Sequence, residues 1–280
     1  VYLPDITLPP GVVPTASLDE ALHRADIVVA ALPSHGTRAV IRAADPLIPR
    51  QALIVSATKG LEQDTLLRVS EVIAQEVRGA RPVAVLSGPS FAIEVARGLP
   101  TAVAVACADP VLAEDVQREF RAAYFRLYAS TDVIGVEIGG ALKNIIAIAS
   151  GVVEGLGLGQ NALAALITRG LAEITRLACA LGGRRETLAG LSGLGDLVLT
   201  CTGSLSRNRH VGVELAHGRP ISEVVAGMKM VAEGVRTTSA ALALGRRHGV
   251  ELPIATQMAG RNRPELANLM GKGFLLPAPV

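Results

Sequence analysis

Ile27-Val28-Val29-Ala30-Ala31-Leu32 runs straight into Pro33-Ser34-His35-Gly36. An unbroken apolar run of this length, with no alternating polar face, describes a strand buried on both sides. The abrupt change to Pro, Ser, His and Gly describes its end. A helix is predicted to follow from about Thr37 to Ala44. The same unit recurs along the chain. Ala52-Leu53-Ile54-Val55-Ser56 ends at Thr58-Lys59-Gly60, and Val83-Ala84-Val85-Leu86 ends at Ser87-Gly88-Pro89-Ser90. Thr101 to Ala106 and Phe125 to Tyr128 read as two more strands, and a helix capped by Asp64 is predicted from about Thr65 to Val77. Strands alternating with helices imply crossover connections and a mostly parallel sheet. Ligands of such sheets lie outside the carboxyl ends of the strands, so three polar, glycine-containing segments are expected on one rim.

Outward from this block the pattern changes. Val1 to Ser17 is Pro-rich and irregular. After about Ile134 the strand-like runs give way to Ala- and Leu-rich segments with helical spacing: Gly140 to Val153, Ala162 to Leu181 with Asn161 as its N-cap and Gly182-Gly183 as its stop, and Ser222 to Met230. The expected fold class is α/β: an incomplete Rossmann-type parallel sheet over residues 1–133, then an all-helical substrate and catalytic domain over 134–280. Such a sheet domain opens with a strand, a G-x-G-x-x-G turn and a helix, and no segment before Ile27 supplies them. Gly157-Leu158-Gly159-Gln160-Asn161-Ala162 matches loosely, but it follows a helical segment and reads as a helix–helix connection. The expectation is that the first βαβ unit lies upstream of Val1, in a longer gene product.

Composition narrows the function. Half of the 280 residues are hydrophobic and 19% are charged, enough for a sizeable core, and with no Trp that core is aliphatic. A net charge of +2 with scattered basic residues argues against nucleic acid. Cys107, Cys179 and Cys201 have no C-x-x-C spacing and read as reduced thiols of a cytoplasmic protein. The most apolar stretch, Ala141 to Gly159, contains Lys143, Asn144 and Glu154, which disfavours a membrane span. Dispersed histidines point to no metal, and neither a G-x-S-x-G elbow nor a P-loop occurs.

Several residues stand out by chemistry. Lys143 lies among Ile138, Leu142, Ile145, Ile146 and Ile148. It is either a snorkelling surface lysine or a buried one whose pKa falls toward neutrality and which exchanges protons. Asp196, in Gly193-Leu194-Gly195-Asp196, is either a helix N-cap or the anion that pairs with Lys143. Ser206-Arg207-Asn208 offers a guanidinium fork beside hydroxyl and amide donors, suited to phosphate; a solvated turn is the other reading. Lys59 sits on the ligand rim, whereas Gly36 and Gly88 are read as turn glycines.

Taken in order, Ala57 to Glu62, Leu86 to Ala92, Gly139 to Asn144, Leu166 to Glu173, Gly193 to Thr202 and Ser204 to Asn208 resemble the bacterial NAD(P)-dependent glycerol-3-phosphate dehydrogenases. The resemblance extends from about Leu3 to Pro253. It implies hydride transfer between NADH or NADPH and dihydroxyacetone phosphate, giving sn-glycerol 3-phosphate for phospholipid synthesis. Carried over position by position, it makes Lys143, Lys59 and Asp196 catalytic: Lys143 the proton acceptor, Lys59 a contact of substrate and cofactor and a second cation near the carbonyl oxygen, and Asp196 the group that orients Lys143 and faces the substrate. Gly88, Ser90, Ser206, Arg207 and Asn208 would bind substrate, and Ala92, Arg207, Val231 and Glu233 the cofactor. A non-catalytic remnant, or another two-domain hydroxyacid dehydrogenase with a Lys-Asn pair, remains an alternative. A homodimer is compatible with the sequence, which does not determine the oligomeric state.

Overall fold

The computed structural model describes residues 3, 5–79, 81–228 and 232–260. Five strands form one sheet in the order β1 (Ile27–Ala30), β2 (Leu53–Ser56), β3 (Val83–Ser87), β4 (Thr101–Ala106) and β5 (Phe125–Ser130). Among them run α1 (Leu18–Leu22), α2 (Thr37–Ala44), α3 (Val69–Glu76), α4 (Ala92–Ala96) and α5 (Pro110–Phe120). β1, β2 and β3 are parallel, with Ala30 level with Ser56 and Ser56 with Val85. The Pro33, Thr58 and Gly88 segments therefore leave the sheet on a common rim, as the apolar runs predicted. β4 is antiparallel to β3 and parallel to β5. The parallel-dominated sheet is borne out, with this one reversal. Among the described residues no strand pairs with the outer edge of β1.

The helical half comprises α6 (Val133–Gly155), α7 (Gly159–Ala180), α8 (Arg185–Leu188), α9 (Asp196–Thr202), α10 (Arg207–Ala216), α11 (Ile221–Ala226), α12 (Glu233–Arg247) and α13 (Pro253–Gly260). α6 is its axis. Of its 23 residues, every one from Gly135 to Val153 is buried. A helix apolar on all faces must be surrounded, and α7, α9, α10 and α12 surround this one. It is long and apolar enough to cross a membrane, but 89% of its most apolar window is covered by the protein itself. Val136 packs with Val85 and Ala106, tying the helical core to the sheet.

Three local expectations are corrected. The helix predicted from Thr65 begins at Val69. A bridge between Leu61 and Arg68, with Leu66 at φ +63°, turns the chain back first, and Asp64 caps nothing. The cap is instead made by Glu71, which accepts from the Arg68 backbone N–H at 2.9 Å. Asn161 lies inside α7, which starts two residues earlier at Gly159, because the preceding turn is made by glycines at positive φ, Gly157 and Gly159. The predicted helix from Ser222 ends at Ala226.

α6 and α10 touch through bare backbone. A Cβ on Gly151 would come 1.9 Å from the Arg209 carbonyl oxygen, and one on Gly212 1.9 Å from that of Ile148. Neither site has room for a methyl group. Gly212→Ala should destabilise the fold by about 1–3 kcal/mol in denaturant titration, the usual cost of overpacking. Gly36→Ala, with open space around its Cβ position, should change stability little.

Candidate active site

Where the sheet rim meets α6, one lysine is enclosed. Lys143 points from the middle of α6 and is 6% exposed, so the snorkelling reading is excluded. Its ammonium donates to Asp196 Oδ1 and, at 2.8 Å, to Thr200 Oγ1. Asp196 is 1% exposed and opens α9, yet its carboxylate makes no N-cap bond. The turn from Leu191 to Gly195 winds as a π-helix into α9 and brings the carboxylate round to α6. Thr200 lies one helical turn further on, and its hydroxyl also donates to the Asp196 carbonyl at 2.6 Å. Lys59, from the β2 rim, donates to the other carboxylate oxygen, Oδ2, at 2.6 Å and to the Gly88 carbonyl at 3.1 Å. One buried carboxylate thus bridges two lysines from the two halves of the protein.

Burial dominates the acid–base state of Lys143. It brings the pKa down from 10.5 to about 7, with the charge of Lys59 adding to the fall and Asp196 opposing it. A lysine so placed carries or lacks its proton near neutral pH.

The other predicted residues converge on the same place. A cavity of about 660 Å³ is lined by Lys59, Ser90, Ala92, Lys143, Ser206, Arg207, Asn208 and Glu233. Its remaining walls include Ala31, Leu32, Ala57, Leu86, Phe91 and Leu205. Gly88 lies outside that wall and acts through its carbonyl, which accepts from Lys59 and from the Ser90 hydroxyl at 3.1 Å. Its φ of +149° and the 2.9 Å between a Cβ there and Val103 Cα admit only glycine. Asp196 stands behind the two lysines. Ser206 caps α10, accepting from the Arg209 N–H at 3.2 Å, so Arg207 and Asn208 form the helix's first turn at the cavity. Asn208 in turn donates to Asn144 Oδ1 at 3.0 Å and accepts from the Gly234 N–H at 3.1 Å, joining α10, α6 and α12. Val231 lies outside the described residues.

Thr200 on the cavity wall, and Ser34 bonded to Glu233 of that wall, were not anticipated from sequence. Thr200 lies within the Gly193 to Thr202 motif, and its spacing of four from Asp196 on one helix face is the available signal. Ser34, whose partner lies 199 residues away, had no such signal.

An α/β sheet joined to a helical domain, with a neutral-pH lysine and a cationic, amide-rich wall at the seam, defines the two-domain dehydrogenase class. Family models place the chain within it. The one described as the NAD-dependent glycerol-3-phosphate dehydrogenase N-terminus matches residues 1–113, and the one described as the C-terminus matches 132–260. The chain belongs to the NAD-dependent glycerol-3-phosphate dehydrogenase family. A glycerol-3-phosphate dehydrogenase (NAD(P)+) of Koribacter versatilis is 54% identical over 261 residues, covering 92% of this chain and 77% of that one. The one of Acidobacterium capsulatum is 54% identical over 285 residues, covering 99% and 84%. The crystal structure of glycerol-3-phosphate dehydrogenase from Coxiella burnetii superposes with a TM-score of 0.93 at 39% identity, covering 98% of this chain and 85% of that one.

Because the Asp196 charge holds the Lys143 pKa up, Asp196→Asn should move the Lys143 midpoint below about 7. NMR titration of isotope-labelled lysine side chains reads that shift directly.

Proposed function

We propose that this chain catalyses the NAD(P)-dependent interconversion of dihydroxyacetone phosphate and sn-glycerol 3-phosphate, the latter serving phospholipid synthesis. The observation that carries the proposal is the buried Lys143, brought to a pKa of about 7 and opening onto the same cavity as Ser206-Arg207-Asn208. A proton-exchanging group thus faces a phosphate-type subsite across one cavity. Arg207 offers a guanidinium, Asn208 an amide, Ser206 a hydroxyl hydrogen, and the start of the ten-residue α10 its positive end.

The cavity suits the nicotinamide end of a dinucleotide. Leu32, Leu86 and Phe91 offer apolar surface to a flat ring, the cavity passes Ala92, and the Glu233 carboxylate accepts from hydroxyl or amide groups. Among the described residues no glycine-rich turn joins a strand to a helix ahead of β1, so the pyrophosphate cradle is assigned to no residue. A nicotinamide held there by the apolar surface of Leu32, Leu86 and Phe91 and by the Glu233 carboxylate would supply the hydride chemistry at C2 in both directions.

In the oxidative direction neutral Lys143 takes the C2 hydroxyl proton. In the reductive direction its ammonium gives that proton to the carbonyl oxygen. Lys59 stabilises negative charge developing on the same oxygen, and Asp196 and Thr200 hold the Lys143 nitrogen in place. Burial keeps bulk water from the exchanging nitrogen. The cytoplasm is the proposed compartment, in line with three free thiols, two of them buried.

Oxidation of NADH and NADPH with dihydroxyacetone phosphate tests the assignment; absence of turnover with either would leave the remnant reading. The pH profile has a definite sign. Oxidation needs neutral Lys143, so its kcat/KM should rise about tenfold per pH unit up to about 7 and then level. Reduction needs the ammonium and should fall above the same midpoint. Removing the guanidinium by Arg207→Ala should raise KM for dihydroxyacetone phosphate about 10- to 100-fold, the range for a lost charged hydrogen bond. Steady-state kinetics checks both.

A further inference from the structure

On the cavity wall beside β1, Glu233 makes a contact that takes no part in the proton chemistry. It opens α12, and among the described residues it makes no ion pair. Its carboxylate is turned to Ser34 instead. The Ser34 backbone N–H donates to Oε1 at 3.2 Å, and the Ser34 hydroxyl donates to Oε2 at 2.6 Å. Ser34 follows the carboxyl end of β1 and is 5% exposed, so the bonds cross from the sheet half to the helical half under cover. Gly60 closes behind them. It has φ +152°, and a Cβ there would lie 2.7 Å from Ser34 Cβ and 3.4 Å from Glu233 Oε2. Glycine at this position leaves the space that the serine side chain occupies between the β2 rim and the carboxylate.

A carboxylate has about four lone-pair positions, and Ser34 occupies two. Among the described residues no other hydrogen bond reaches the carboxylate, and Glu233 lines the cavity, so the other positions are open to a bound molecule. A glutamate side chain left to itself samples several rotamers, and ordering it on binding weakens affinity. We propose that Ser34 is a positioning residue for cofactor binding. Its paired donors fix the Glu233 carboxylate so that the open lone pairs accept from hydroxyl or amide groups of the nicotinamide dinucleotide. The inference rests on the reading of the cavity as a dinucleotide site, and it makes cofactor affinity depend on a hydrogen bond that spans the two halves.

The test is NADH binding to the full chain, followed by the fluorescence of NADH, beside steady-state kinetics and thermal melting. Ser34→Ala should weaken NADH binding about tenfold while KM for dihydroxyacetone phosphate stays within about twofold of the parent. Ser34→Thr, which keeps both donors, should restore most of the loss. Glu233→Gln should weaken NADH binding comparably and reads the same contact if Ser34→Ala does not fold. The double variant should bind no worse than the weaker single, since both remove one contact. Parent-like NADH affinity in a Ser34→Ala protein that melts with the parent would overturn the role of Ser34, as would effects that multiply in the double variant. Parent-like affinity in Glu233→Gln would overturn the carboxylate contact itself while leaving the proposed reaction standing. No NADH binding by the unsubstituted chain would overturn this inference together with the proposed reaction.

Discussion

A positive charge inside an aliphatic helix bundle is the constraint on which the rest of the site depends. Taking an ammonium out of water is costly unless an anion and further acceptors replace the lost solvent. Lys143 meets that requirement with Asp196 and Thr200, one turn apart on α9. Asp196 is as deeply buried and needs donors of its own; Lys59 supplies the second. The three groups therefore depend on one another for their burial. Their assembly forces α6, α9 and the β2 rim into contact, which is also what forms the cavity.

The same seam is secured at other points by the same means. Glu137 of α6 is buried and accepts from the Ser70 N–H at 2.8 Å, from its hydroxyl at 2.6 Å and from Arg68 at 2.6 Å, all at the start of α3. Burial pushes the Glu137 carboxyl up, and its donors oppose the rise. Glu233 of α12 does the corresponding work beside β1. Close backbone approach completes the joint: a Cβ on Gly140 would come 2.5 Å from Ser87 Oγ on β3. The sheet half and the helical half are thus joined by carboxylates that satisfy backbone and hydroxyl donors, around one large apolar helix.

Much of this was readable residue by residue. The strands Ile27–Ala30, Leu53–Ser56 and Val83–Ser87 follow from apolar runs broken by polar and glycine residues, although the first ends two residues short of Leu32 and the third one residue past Leu86, and a helix through Lys143 follows from isoleucines at helical spacing. What was misread has physical causes. Thr65 to Leu67 have ordinary helix-forming capacity, but a bridge between Leu61 and Arg68 holds them in a turn. Asn161 is a good cap by residue type, yet Gly157 and Gly159 start the helix ahead of it. The direction of β4 is not written in Thr101 to Ala106, because an apolar strand has the same composition either way round.

By itself the sequence determined the element types, the switch from sheet to helices near residue 133, and the family through long ordered motifs. Those depend on local periodicity and on residue identity, which a linear reading captures. Only the tertiary structure decided whether Lys143 was wet or dry, because that depends on what covers α6 from four other helices. It also decided that Asp196 serves two lysines rather than capping α9, that Thr200 shares the proton-bearing nitrogen, and that Ser34 meets Glu233 across 199 residues. Each is a contact between segments whose separation along the chain carries no signal, and a buried polar group takes whichever partner the packing brings within reach.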